Sequence, residues 1–327
     1  MSFRNRGIRN DIQKEILAVL IMVKVLKILN GILAFGLACQ IAASPFTAWI
    51  AGLFVPGTSI RTALQTRAIQ TDGTFLTAFL SRGWERTEQG DYSKASEDFL
   101  SVLKREPGHT QARYALGELN RELGDLDTAI RYYSDVITLD PTHPWAYRGR
   151  SRAFKENGQL LPSLMDESRY YYHSLDPDNA MRLLNRICES YPGQSPAFEL
   201  RATIKMQSGD TNGAISDYGR TIQNSPGYAW AYYHRASAHL KNNDNSRAIL
   251  DLENAVSIDP NFSEAYTLLA DIQNSLNQKD MACLYYFMAG ESHVRWGRLH
   301  QARECLDRIR DIDSNSPHFE SLKSLIK

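Results

Sequence analysis

Residues 110–141, TQARYALGELNRELGDLDTAIRYYSDVITLDP, carry the clearest structural pattern of the chain. In its middle, a Gly124-Asp125 pair is followed by the small residue Ala129 and then by Tyr133. Glycine accepts the positive φ of a tight turn at a helix end, and the closing Asp140-Pro141 pair stops the helix that follows. A small residue lets two helices approach closely, and an aromatic residue four positions later lies on the same helix face. The stretch therefore predicts two antiparallel helices joined by a tight turn.

The same pattern recurs along the chain every 34 residues, with one longer interval of 51 residues. The turns are marked by Gly90-Asp91, Gly124-Asp125, Gly158-Gln159, Gly209-Asp210, Asn243-Asp244 and Asn277-Gln278. The small residues that follow them are Ala95, Ala129, Ser163, Ala214, Ala248 and Ala282. The large ones are Phe99, Tyr133, Tyr218, Leu252 and Tyr286, with Glu167 as the exception. One such unit cannot bury its apolar face alone, so the units are expected to stack.

A 34-residue period with this pattern resembles the tetratricopeptide-repeat (TPR) family, over roughly residues 76–314. The resemblance implies an all-α fold, a right-handed superhelical solenoid of helix-turn-helix repeats. It also implies that the first helix of each repeat lines a concave groove that binds segments of partner proteins.

Two irregular spacings set the expected domain organisation. The interval of 51 residues equals one repeat plus half of another, which predicts an inserted helix at about residues 179–190. Near the C-terminus, Ala302 follows Ala282 too closely for a full repeat, so one helix is expected to be shared or lost. The predicted segments are a signal peptide or membrane anchor (1–60), a linker (61–75), an array of three repeats (76–177), the inserted helix (178–194), an array of three to four repeats (195–314) and a cap helix (315–327).

The N-terminal region differs from the repeats. Basic residues, Arg4 to Lys14, precede an apolar run, and no residue from Ile28 to Ile60 is charged. That uncharged stretch exceeds the about 20 residues that a membrane-spanning helix needs. It predicts either a signal anchor or a cleaved signal peptide, and a buried core helix is the third alternative. Because basic residues before a span favour a cytoplasmic N-terminus, we expect the repeats to be extracytoplasmic (periplasmic if the source is bacterial), and residues 16–55 to contact the membrane if they are not cleaved.

Composition and motifs indicate no catalytic chemistry. Lys plus Arg and Asp plus Glu balance at 37 each, so net charge gives no reason to expect a nucleic-acid partner. The four cysteines lack the spacing of a zinc site, and neither a phosphate-binding loop nor an HExxH motif is present. We therefore expect no catalytic residues, no metal, no cofactor and no enzymatic activity.

The candidate site is the groove that the family resemblance implies. By family position, its first-helix residues are Tyr114, Glu118, Trp145, Arg148, Arg152, Lys155, Trp230 and Tyr233. Four of them, from Trp145 to Lys155, follow helical spacing and form one stripe. A Trp beside arginines is the residue mix of binding hot spots, and a guanidinium binds carboxylates well. We predict that an acidic and apolar peptide or helix of a partner protein binds there; the alternative is that Trp145 and Trp230 only pack against neighbouring repeats.

The predicted function is a protein-protein interaction scaffold in the assembly or regulation of a membrane or envelope complex. Two alternatives remain at this point. The first is an adaptor that regulates a membrane-bound enzyme. The second is a ligand-binding or enzymatic solenoid that uses the junction near residues 178–194.

Overall fold

The computed structural model describes residues 58–71 and 75–326, and within these ranges every regular element is an α-helix. The all-α prediction is thus confirmed for the part of the chain that the structure describes. The helices are α1 (Thr58–Thr71), α2 (Leu76–Glu88), α3 (Tyr92–Arg105), α4 (Thr110–Glu122), α5 (Leu126–Leu139), α6 (Pro144–Glu156), α7 (Leu160–His173), α8 (Pro177–Ser190), α9 (Ser195–Ser208), α10 (Thr211–Asn224), α11 (Ala229–Lys241), α12 (Asn245–Ile258), α13 (Ser263–Ser275), α14 (Lys279–Arg295), α15 (Leu299–Ile312) and α16 (Pro317–Ile326).

The turn between paired helices has one geometry throughout. At Gly124 the backbone has φ +80°, its N–H bonds the carbonyl of Arg121 at 3.1 Å, and the Asp125 N–H bonds that of Asn120 at 2.9 Å. The Asp125 carboxylate then caps the next helix by accepting the N–H of Thr128 at 3.2 Å. Asn243 and Asn277 adopt the same left-handed conformation, which asparagine tolerates better than most residues.

The chain divides into two compact units, Met1–Ala153 and Phe154–Lys327, so the boundary lies within α6. The sequence predicts a division near residues 178–194, and the structure differs there. Helix α8 occupies the position of the inserted helix, but it packs on both α7 and α9. Leu184 and Ile187 of α8 share one apolar core with Leu164 and Phe198, so α8 joins its neighbours instead of separating them.

The inserted helix follows the same pattern as the other second helices of hairpins. Leu175 has φ +59° at the turn before α8, where other turns have glycine or asparagine. Ala180 and Leu184 follow it at the same offsets as the small and large residues elsewhere, and both are fully buried. The short spacing near the C-terminus has a related cause. Helix α14 has 17 residues, where α12 has 14, and it packs on both α13 and α15, so it belongs to two hairpins.

The predicted linker at residues 61–75 is wrong over most of its length, because α1 covers it up to Thr71. Helix α1 packs on α2 through Ala68 and Ala78, and its buried Gln65 has no hydrogen-bond partner for its amide among the described residues. A polar residue at a buried position conceals the apolar face from the sequence pattern. The predicted anchor lies before α1 and almost wholly outside the described residues. None of the helices that the structure describes is long and apolar enough to cross a membrane.

Glycines on the first helices let aromatic rings pass between helices. In the first unit, the ring of Tyr133 lies against Gly117 of α4 and Gly149 of α6. A methyl group added at Gly149 would lie 2.5 Å from that ring, and one at Gly117 would lie 2.7 Å from it. Because real Cβ contacts are not this short, these two positions require glycine as long as Tyr133 is present.

A buried ion pair connects the two helices of several hairpins. In the first unit, Asp98 of α3 accepts hydrogen bonds from Arg82 at 3.0 and 2.5 Å and from Arg86 at 2.8 Å, and its side chain is only 3% exposed. Both arginines lie on α2, one helical turn apart, so they hold the carboxylate from one side. We name this arrangement the Asp clasp.

Two further clasps lie in the second unit. Asp217 binds Arg201 at 2.8 and 2.6 Å and Lys205 at 2.8 Å. Asp251 binds Arg235 at 2.8 and 2.6 Å, with His239 at 3.8 Å. Burial lowers the pKa of His239 despite the opposing effect of Asp251, so Arg235 is the permanent cation of this clasp.

Two hairpins replace all three members of the clasp together. The positions that correspond by the 34-residue register are Leu116, Asn120 and Tyr132 in one hairpin, and Leu269, Gln273 and Tyr285 in another. The joint replacement avoids a buried carboxylate that has lost its cations, which would be costly, because none of the replacing residues carries a formal charge.

Loss of one clasp carboxylate should destabilise the fold. We expect Asp217→Ala to lower the free energy of unfolding by about 3 to 5 kcal/mol, because Arg201 and Lys205 would lose their buried partner. Asp311→Ala is the matched control; Asp311 is 71% exposed, and its loss should change stability by less than about 0.5 kcal/mol. Denaturant unfolding of the two variants would measure both values, and equal stabilities for the two would contradict the structural importance of the clasp.

Candidate functional site

In the first unit, the face of α4 is organised around Glu118. Its carboxylate accepts a hydrogen bond from the Tyr133 hydroxyl at 2.7 Å and lies 3.7 Å from Arg121. The ring of Tyr114 lies 5.8 Å from that of Tyr133 and 5.7 Å from the imidazole of His143. Burial, followed by the charge of Glu118, raises the pKa of both tyrosines well above the usual value, so both hydroxyls stay protonated donors.

The glycine positions explain how Tyr133 reaches this face. Its ring passes between Gly117 and Gly149, and its hydroxyl emerges beside Glu118. The carboxylate of Glu118 is bonded by Tyr133 and lies beside Arg121, so its charge is partly compensated.

Helix α6 contributes the exposed part of this face. Trp145 is 42% exposed, and the guanidinium carbon of Arg148 lies 5.4 Å from the centre of its ring. Arg152, one turn further, is exposed, and its positive charge acts on the Tyr114 hydroxyl. Five predicted site residues thus lie on α4 and α6 of the first unit, and Arg152 of α6 acts on Tyr114 of α4. Lys155 is exposed near the end of α6 and belongs to the second unit.

In the second unit, the two predicted residues of α11 form an aromatic cluster. Trp230 is 42% exposed, and its ring lies 5.6 Å from that of Tyr233 and 4.5 Å from that of Phe262. Phe262, which precedes α13, is only 3% exposed. One side of Trp230 thus packs against the next hairpin, as the alternative interpretation expected, while a large part of the side chain still meets solvent.

The predicted site residues do not include the polar half of this cluster. Glu199 of α9 accepts a hydrogen bond from the Tyr228 hydroxyl at 2.8 Å. His234 lies between Tyr218 and Trp230, with ring separations of 5.7 and 5.6 Å. Burial lowers the pKa of His234, although Glu199 opposes this effect, and His234 is therefore neutral at pH 7. The 34-residue register could have found Glu199, since it occupies the position of Tyr233 in the preceding repeat.

A second missed signal is a tyrosine 15 residues after an acidic residue. Tyr286 donates to Asp271 as Tyr133 donates to Glu118, and both pairs join a second helix to the exposed face of a first helix. The offset of 15 residues follows from the hairpin geometry. The sequence contains no local pattern that predicts the hydrogen bond.

The described residues offer no set of three or more His, Cys, Asp or Glu side chains that could hold a metal ion. Cys188, Cys283 and Cys305 are free and buried. Burial raises the pKa of Cys188 to about 11 and that of Cys305 to about 12, so these thiols stay protonated near neutral pH.

Two family models, both described as tetratricopeptide repeat, match residues 80–144 and 205–272. Human tetratricopeptide repeat protein 6 is 28% identical to this chain over 104 residues, which are 31% of this chain and 20% of that protein. The chain thus matches about a fifth of the length of this relative.

Two solved structures are similar as well. The crystal structure of MamA is 22% identical, with a TM-score of 0.38, and the match covers 56% of this chain and 96% of MamA. YrrB, described as a TPR protein with an unusual peptide-binding site, is 15% identical, with a TM-score of 0.28, over 62% of this chain and 95% of YrrB.

Proposed function

Because this chain is a tetratricopeptide-repeat protein, we propose that it is a non-catalytic scaffold that binds segments of partner proteins on the exposed faces of its first helices. The observation that carries the proposal is the pairing of Trp145 with Arg148. A large aromatic side chain that is 42% exposed, with a guanidinium beside its ring, is the chemistry of a binding hot spot.

Charge supports an acidic and apolar segment as the ligand of the face in the first unit. Arg148 and Arg152 are the cations of its α6 side. The acidic residue of the α4 side, Glu118, is partly compensated by Tyr133 and Arg121, so it repels an approaching carboxylate less. Burial of the Trp145 ring would supply the apolar contribution, and the arginines would select the charge of the ligand.

Partner capture from the native host tests this proposal. We expect Trp145→Ala with Arg148→Glu to abolish the cross-linking of specific partners, because the variant loses the aromatic contact and reverses one charge. Trp296→Ala with Arg303→Glu makes the same changes at exposed residues of the α14–α15 region and should leave capture unchanged. Capture that persists in the first variant, or falls equally in both, would contradict the proposed surface.

We further propose that the repeats act outside the cytoplasm, next to the membrane, in the assembly or regulation of an envelope complex. The support is the sequence itself, in which basic residues precede the uncharged stretch from Ile28 to Ile60. Protease added to intact spheroplasts should digest a tagged repeat region, whereas a cytoplasmic marker should survive until lysis. A repeat region that is protected as fully as the marker would exclude this location.

A further inference from the structure

Glu199 is a carboxylate without a cationic partner. It is half-buried on α9, its only side-chain hydrogen bond comes from the neutral Tyr228 hydroxyl, and it forms no ion pair within the described residues. Glu118, in contrast, has Arg121 beside it, and Asp217 has two cations. A partly desolvated carboxylate that lacks a counter-charge costs free energy, and a cation from elsewhere would lower this cost.

The cations of α9 and α11 have other partners. On α9, Arg201 and Lys205 both bind Asp217. On α11, Arg235 binds Asp251, and Lys241 reaches the backbone carbonyl of Met206 at 3.5 Å. His234 is close enough for Glu199 to act on its pKa, but burial keeps it neutral. A counter-charge for Glu199 therefore has to come from outside these two helices.

Several aromatic residues lie near this carboxylate. Tyr228 is bonded to it directly, and Glu199 also acts on the pKa of Tyr218. Trp230 lies 5.6 Å from His234, the imidazole on which Glu199 acts, and 42% of Trp230 is exposed. A carboxylate with an exposed aromatic ring nearby attracts a cation both as an ion-pair partner and through the electron-rich face of the ring.

We infer that the face formed by Glu199, Tyr228 and Trp230 binds an arginine side chain of a partner protein. This inference rests on the proposed scaffold function and deepens it, since it assigns the second unit a ligand of opposite charge to that of the face around Trp145. A guanidinium fits better than an ammonium because it is planar, stacks on aromatic rings and donates two parallel hydrogen bonds to a carboxylate.

The probe for this inference is N-acetyl-arginine amide, and the matched control ligand is N-acetyl-citrulline amide, which has nearly the same shape and no charge. The full chain is labelled with 5-fluorotryptophan, and the ¹⁹F resonance of Trp230 is assigned by its loss in Trp230→Phe. We expect the arginine derivative to shift this resonance saturably, and the citrulline derivative to bind at least about fivefold more weakly, which corresponds to roughly 1 kcal/mol.

The matched protein variants are Glu199→Gln and Glu304→Gln. Glutamine at 199 keeps an acceptor for Tyr228 and removes the charge, so the affinity for the arginine derivative should fall by about fivefold. Glu304 lies on α15 of the same unit with a side chain that is 63% exposed, and its substitution should leave the affinity unchanged. Thermal unfolding of both variants identifies any loss of fold. As a second test that leaves Glu199 unchanged, the affinity of Trp230→Leu for the arginine derivative is measured by calorimetry.

Equal binding of the two ligands, or an affinity that Glu199→Gln leaves within twofold of the original, would overturn the inference. Binding of an acidic peptide at Trp230 in place of the arginine derivative would overturn it too. If the arginine derivative fails while Trp145→Ala with Arg148→Glu still abolishes partner capture, only this inference fails. If the derivative binds but no partner depends on either face, the proposed scaffold function fails instead.

Discussion

The Asp clasp is the interaction that holds three of the first helices, α2, α9 and α11, in place. It sets a buried carboxylate of the second helix against one or two cations of the first, so the rotation and the distance of the pair are set together. The same arginines also reach the preceding helix, where Arg82 donates to Thr66 at 3.1 Å and Arg201 donates to Asn185 at 3.0 Å. One side chain thus connects three consecutive helices within its unit. A first helix that is held in this way presents a defined outer face, which a binding surface requires.

This constraint also divides the charged residues of the first helices into two groups. The clasp cations point inward and bind their aspartates, so their role is structural. Arg148, Arg152 and Glu199 lie on the other face, where charge can act on a partner. The overall charge balance of the chain conceals this division, since 37 basic and 37 acidic residues leave no net charge. Local charge of opposite sign on the faces of the two units is compatible with that neutrality.

Much of the fold could be predicted from the sequence, because the turn, the small residue and the large residue of each hairpin lie close together in the chain. The clasp could not, since Arg201 and Asp217 are 16 residues apart and each looks like an ordinary surface charge in isolation. Helix α1 was missed because the buried Gln65 breaks its apolar pattern, and Leu175 concealed a turn at which glycine or asparagine is expected. For the candidate site, the register located Trp145 and Trp230 on first helices. The role of Glu199 is visible only in the structure, where it accepts a hydrogen bond from the Tyr228 hydroxyl and forms no ion pair among the described residues.

Oxidative footprinting of the full chain, alone and in its native complex, tests the central claim most directly. Three tryptophans act as internal reporters: Trp145 and Trp230 on the first-helix faces are each 42% exposed, and Trp296 at the α14–α15 turn is 64% exposed. If partners bind on the first-helix faces, hydroxyl-radical labelling of Trp145, Trp230 or both falls in the complex, while that of Trp296 stays constant. Protection of Trp296 with undiminished labelling of both Trp145 and Trp230 would contradict the account and place the partner on another surface.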